Sequence, residues 1–273
     1  MTGTGAASGP IRHIRAAGNR LRVRRIPPGN QEHCARRPCL VFLHEGLGSI
    51  ELWKDFPDRL CRLTGCAGLV YDRRGYGGSE RLTGPWTDHY LLQEAAVFLP
   101  GLLSALAVEC AVLIGHSDGG TIALIAAAQQ CKPVVGVITE AAHIFVEDLT
   151  LAGVRRAVYA FETGALRSKL NRYHRDNTEA VFRRWASKWL SPGFRAWNIR
   201  ALLPQISCPL LVIQGEADEY GTVAQVEGII RLASGPVTAH LIPGCGHVPH
   251  FQAQDQVLFA MQRFVAQQTC YSK

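Results

Sequence analysis

The chain has 273 residues, 47% of them hydrophobic and 19% charged, which suits one sizeable globular core and excludes a wholly disordered chain. No stretch approaches the roughly 18 consecutive apolar residues of a membrane span. The net charge of +7 is unevenly laid out: residues 1–37 hold eight basic residues against one acidic, residues 151–200 eleven against three, and the remainder is mildly acidic. The first ten residues are small and polar, with neither the basic nor the apolar region of a signal peptide, and form the one segment expected to be disordered. The nine cysteines are odd in number and contain no C-x-x-C pair; Cys34 and Cys39, like Cys61 and Cys66, stand too far apart for one. They read as free thiols, with Cys110, Cys131 and Cys208 as small buried hydrophobes. The expectation is a soluble, cytoplasmic protein, monomer or homodimer, without a membrane or nucleic-acid partner, since no nucleic-acid motif accompanies the basic blocks.

In chain order, residues 11–25 alternate apolar side chains with arginines around Ala16-Ala17-Gly18-Asn19 and predict a β-hairpin. Apolar runs follow at Pro38–His44, Ala67–Tyr71, Ala111–Ile114, Val134–Thr139, Pro209–Gln214 and Thr238–Ile242, the pattern of strands buried on both faces of a parallel sheet. Helix-compatible segments lie between them, at Leu91–Leu106, Thr121–Gln130, Val223–Leu232 and Asp255–Gln267. This alternation predicts a doubly wound α/β sheet. From His143 to about Arg200 the strand pattern stops, and amphipathic stretches such as Leu166–His174 and Thr178–Leu190 predict a helical cap over residues 143–200, dividing the core into 1–142 and 201–273.

Gly115-His116-Ser117-Asp118-Gly119 follows one predicted strand and opens a helix, the setting a G-x-S-x-G nucleophile elbow requires. Serine is unreactive at its free pKa and needs a histidine base, itself oriented by a carboxylate, in the order Ser, acid, His. Asp218 lies in the loop after the strand Leu210–Gln214, and His247 in the loop after Thr238–Ile242. Glu140, at the end of Val134–Thr139, is the alternative acid, and His250 reads as a neighbour on the following helix. An oxyanion hole needs two backbone N–H donors, expected from Asp118 and from Gly46 in the loop His44–Gly48, with Leu47 as the second choice.

LHEGLGS at 43–49, YDRRGYGGS at 71–79, GHSDGG at 115–120, QGEADEYGT at 214–222 and GCGHVPH at 244–250 together resemble the α/β-hydrolase family. They match its oxyanion loop, D-x-R-G-x-G-x-S turn, elbow, acid loop and histidine loop, and cover the chain outside the cap. The stretch GHSDGGTIALIAAA at 115–128 is similar to the elbow of valacyclovirase-like (biphenyl hydrolase-like) esterases. The resemblance implies the α/β-hydrolase fold and serine esterase chemistry. Glu45 departs from it, standing where the family has glycine after the histidine. Glu45 and Asp118 beside an oxyanion hole oppose its chemistry unless they are paired, by Arg73 and Arg74 or by a cationic group of the substrate. Recognition of an amino group there is what the resemblance implies.

The reading is a carboxylic-ester hydrolase acting through an acyl-enzyme, with no metal or organic cofactor implied. A carbon–carbon or amide hydrolase of a catabolic pathway, or a hydrolase-fold receptor with little turnover, shares the same triad. Glu45 is a candidate substrate-binding residue, as are the cap side chains His143, Phe145, Tyr159, Tyr173, Trp185 and Trp189, each of which packing among the cap helices would equally explain. The basic balance of 151–200 points to an anionic small-molecule ester or an acyl group on an acidic carrier, against the alternative of a solvated helical surface.

Overall fold

In the computed structural model, which describes residues 9–29, 37–84 and 86–270, the apolar runs form one sheet. Its strands are β1 (Ile11–Ala16), β2 (Asn19–Ile26), β3 (Cys39–Leu43), β4 (Gly68–Tyr71), β5 (Ala111–His116), β6 (Val134–Glu140), β7 (Leu210–Gly215) and β8 (Val237–Ile242). The strand order is β1-β2-β4-β3-β5-β6-β7-β8; β1, β2 and β4 pair antiparallel and every other pair is parallel. Residues 1–8 of the segment expected to be disordered, and Cys34, lie outside the described residues.

The helices are α1 (Phe56–Thr64), α2 (Tyr90–Gln93), α3 (Leu99–Ala105), α4 (Asp118–Ala128), α5 (Asp148–Glu162), α6 (Ala165–His174), α7 (Thr178–Trp189), α8 (Ala224–Leu232), α9 (Pro249–Gln252) and α10 (Gln254–Ala266). A π-helical stretch, Glu94–Phe98, joins α2 to α3. The period of two along each strand divides the core. Leu40, Phe42, Val112, Ile114, Leu211 and Ile213 join one cluster with Phe56 and Leu60 of α1 and Val257 and Met261 of α10. Their neighbours Val41, Leu43, Leu113, Val137, Leu210 and Val212 join the other with Leu99, Ile122, Ile125, Val226 and Ile229. Burial on both faces explains why these strands read as unbroken apolar runs. This is the α/β-hydrolase fold.

Between β6 and β7 the chain makes one long helical excursion through α5, α6 and α7. Its two ends meet: the Ile199 N–H donates to the Ile144 carbonyl at 2.8 Å, and Phe145 and Asn198 form an isolated antiparallel bridge. The excursion therefore leaves and rejoins the sheet at one point. Among the described residues no helix is long and apolar enough to cross a membrane.

Contrary to the expectation of free thiols throughout, two of the cysteines are bonded to each other. Cys110 and Cys270 form a disulfide that ties the chain after α10 to the residue preceding β5. They lie 160 positions apart, so no local spacing announces the bond. Cys131 and Cys208 keep their thiols but are only partly buried.

Candidate active site

β5 ends at His116 and α4 begins at Asp118, so Ser117 alone makes the turn, with φ 52° and ψ −116°. A non-glycine residue there stores on the order of 1–3 kcal/mol of strain, which the surroundings must hold. The Ser117 N–H donates to the Glu140 carbonyl at 2.8 Å, and its own carbonyl accepts from Thr121 N–H at 3.0 Å. The flanking glycines answer to close packing. A Cβ at Gly115 would sit 2.2 Å from the Gly119 carbonyl oxygen, and one at Gly119 2.0 Å from that of Leu43.

The loops after β7 and β8 bring an acid and a base to this turn. His247 Nε2 lies 3.1 Å from Ser117 Oγ, and His247 Nδ1 lies 2.8 and 3.0 Å from the two Asp218 carboxylate oxygens. Asp218 also accepts from the backbone N–H of Tyr220 at 2.8 Å and of Gly221 at 3.3 Å. Burial disfavours its charge, but the hydrogen bond and charge of His247, with the backbone donor, outweigh that and hold the carboxyl below its ordinary value. Glu140, the alternative acid, is engaged elsewhere: it accepts from both the backbone N–H and Nδ1 of His250, each at 2.9 Å.

The loop His44–Gly48, where an oxyanion donor was expected, is fixed through its carbonyls. The Glu45 carbonyl accepts from His44 Nδ1 at 2.7 Å, from Arg73 Nη2 at 2.9 Å and from Gly48 N–H at 3.1 Å. In a trans peptide the N–H points opposite to the C=O, and no peptide bond here is cis. With the Glu45 oxygen turned into the protein, the Gly46 N–H is aimed the other way, and Gly46 lines the same cavity as Ser117. The first N–H of α4, that of Asp118, is open by its place at the helix start. Two histidines missed in the sequence reading hold this loop. His44 Nε2 accepts from Arg73 N–H at 3.0 Å. His174, at the end of α6, donates from Nε2 to the Leu47 carbonyl at 2.9 Å and accepts at Nδ1 from Gly77 N–H at 3.1 Å. Both geometries require neutral imidazoles. Burial pushes both below the ordinary histidine value, His44 far below with help from the Arg73 charge.

Of the two expected arginine partners, Arg73 serves Asp118, whereas Glu45 finds a histidine instead. Asp118 is buried; its Oδ2 accepts from Tyr90 Oη at 2.9 Å and lies 3.8 Å from Arg73 Nη2. Burial raises its carboxyl above the ordinary value against the pull of Arg73. Its carboxylate is turned to Tyr90 and Arg73 within the protein, so it is no reader of a substrate cation. Arg74 pairs with Glu94 at 3.5 Å and serves neither acid. Glu45 does face the cavity, 27% exposed, with His116 Nδ1 at 3.6 Å. Burial opposes its ionisation, but His116, with His44, outweighs this and holds it down to about 2.

The cavity over Ser117 holds about 500 Å³, the size of a small-molecule site. Its walls include His143, Tyr173, Trp185 and Trp189 among the aromatic side chains singled out from the sequence. Tyr159 is not among them: it is 73% exposed on the outer face of α5, because the buried stripe of that helix runs through Leu151, Val154, Ala157 and Phe161. Phe145 lies outside the cavity too, under the Arg200 guanidinium at 5.0 Å. His143 donates from Nε2 to the Tyr220 carbonyl at 3.2 Å; burial, and then the charge of His247, lower it to about 4. Lys169 and Arg172 of α6 line the cavity from its exposed rim.

This fold and this constellation place the protein in a known class. The family model described as the alpha/beta hydrolase family matches residues 40–258, and the chain belongs to that family. The human protein named serine hydrolase BPHL is 29% identical over 203 residues, covering 69% of this chain; the match spans 65% of the length of that relative. Over a shorter stretch of 107 residues, 39% of each chain, it is 31% identical to the 2-succinyl-6-hydroxy-2,4-cyclohexadiene-1-carboxylate synthase of Salmonella agona. In fold it is similar to the proline iminopeptidase of Mycobacterium smegmatis, with a TM-score of 0.73 at 19% identity over 94% of this chain and 98% of that one.

Proposed function

We propose that this protein is a serine hydrolase that cleaves carboxylic esters through an acyl-enzyme, with Ser117, His247 and Asp218 as its triad and the helical excursion, residues 143–200, as its cap. The observation that carries the reading is the unbroken hydrogen-bonded chain from Ser117 Oγ through His247 to both oxygens of Asp218. His247 Nε2 takes the serine proton as Oγ attacks the substrate carbonyl. Asp218 fixes the tautomer and stabilises the imidazolium. The N–H groups of Gly46 and Asp118 receive the oxyanion, and the preorganised carbonyl clamps on the 44–48 loop keep the first of them aimed. His247 then protonates the leaving alcohol and activates water to release the acid. An ester suits this machinery because the leaving alkoxide needs one proton, which His247 supplies after taking it from Ser117.

The test is steady-state hydrolysis of short p-nitrophenyl esters by the wild type and Ser117→Ala. The variant should fold normally and lose on the order of 10⁴–10⁶ in kcat. Retention of more than about a tenth of the activity would overturn the assignment.

A further inference from the structure

Most basic side chains of the helical excursion have acidic or carbonyl partners. Arg167 pairs with Glu179, Arg183 with Glu162 and Glu179, Lys188 with Asp88 and Arg195 with Asp148. Arg184 donates to the carbonyls of Leu82 and Gly84. Among the described residues Lys169 and Arg172, like Arg155, Arg175 and Arg200, have no such partner, but of these five only Lys169 and Arg172 line the cavity. They stand three residues apart on α6, so they share one side of the helix, and both reach the rim of the cavity that contains Ser117. Among the described residues neither has a carboxylate within ion-pair distance.

The acids of the same cavity are held at its catalytic end. Glu45 faces His116, and Glu219 Oε2 accepts the His247 backbone N–H at 3.1 Å. The cavity is thus polarised: engaged acids beside the serine, two uncompensated cations at the rim, and an apolar wall with Leu166, Leu170, Trp185 and Trp189. Like charges three residues apart repel each other, and an anion between them relieves that repulsion.

We infer that the substrate is an ester bearing an anionic group, carboxylate or phosphate, remote from its scissile carbonyl, and that Lys169 and Arg172 bind that group. The inference rests on Ser117 being the nucleophile and adds the class of molecule delivered to it. The apolar wall takes the intervening chain, and the rim charges draw the anion from solution in a manner that salt weakens.

The experiment compares kcat/KM for the monomethyl and dimethyl esters of straight-chain dicarboxylic acids, with methyl esters carrying a terminal phosphate as a parallel arm. Each is measured at low and high salt, for the wild type and for Lys169→Gln/Arg172→Gln. Charge-assisted hydrogen bonds should favour the anionic ester over the neutral diester by about tenfold or more at low salt. That ratio should shrink as salt rises, and should fall at least about fivefold in the double variant. The arm with the larger ratio identifies the anion. If the diester is turned over but the anionic esters gain nothing, or gain as much in the variant, the rim pair is no subsite and the hydrolase reading stands. If the wild type hydrolyses none of these esters and no p-nitrophenyl ester, both readings fall together.

Discussion

Replacing Gly46 by alanine is a small change with a large expected effect. A Cβ there would lie 2.4 Å from Trp185 Nε1 and 2.6 Å from its Cδ1, distances that real carbon atoms do not tolerate, so something must move by about 1 Å to reach normal contact. The loop has little freedom to retreat. Its Glu45 carbonyl is held by three donors and its Leu47 carbonyl by His174. Any retreat turns the Gly46 N–H away from the serine and forfeits one oxyanion donor, which costs roughly 10²–10³ in kcat. If Trp185 moves instead, it swings within the cavity it lines, and KM rises with a smaller loss in kcat. The assay is steady-state hydrolysis of p-nitrophenyl butyrate by Gly46→Ala and by Gly46→Ala/Trp185→Ala. The single variant should lose about 10²–10³ in kcat, and the double variant should regain at least about tenfold because the clash is gone. A Gly46→Ala enzyme within about threefold of wild-type kcat and KM would refute the packing argument and the donor assignment with it.

Asp218→Asn should lower kcat by about 10⁴ because the imidazole is then held in the wrong tautomer, whereas Glu140→Gln should spare most of kcat. The reverse order, read from the same ester kinetics, would move the acid to Glu140. Stability should fall in mild acid. The folded state keeps His143 neutral down to about 4, while the unfolded chain protonates it near 6.5, so unfolding takes up a proton throughout that window and loses up to about 3 kcal/mol of stability across it. Urea unfolding at pH 7 and pH 4.5 should therefore show a shallower acid loss for His143→Asn than for the wild type; equal losses would place the titration elsewhere.

The strands and the proposed catalytic trio were legible in the sequence because both are local signals. Apolar runs such as Leu210–Gln214 mark strands buried on two faces, and the groups at 117, 218 and 247 each follow a strand within a few residues. Tyr159 was misplaced although its helix carried the answer: Leu151, Val154, Ala157 and Phe161 define a buried stripe, and position 159 falls off it. The rest depends on contacts between distant residues. His174 reaches Leu47 across 127 positions, His250 reaches Glu140 across 110, and the Cys110–Cys270 bond spans 160. Helix α1 went unnoticed although Phe56, Leu60 and Cys61 recur on its buried side at a helical spacing. The pairing of Glu45 with His116 was hidden for a related reason, since it joins the loop after β3 to the last residue of β5.

If Ser117 is the nucleophile it becomes covalently acylated during turnover, and the direct measurement is mass spectrometry of the protein quenched in acid within the first turnovers on a p-nitrophenyl ester. The account predicts a species heavier by one acyl group, carried on the peptide containing Ser117, absent from Ser117→Ala and accumulating in Asp218→Asn only at a much reduced rate. Sustained turnover with no acylated species on that peptide, or acylation that persists on another residue in Ser117→Ala, would contradict it.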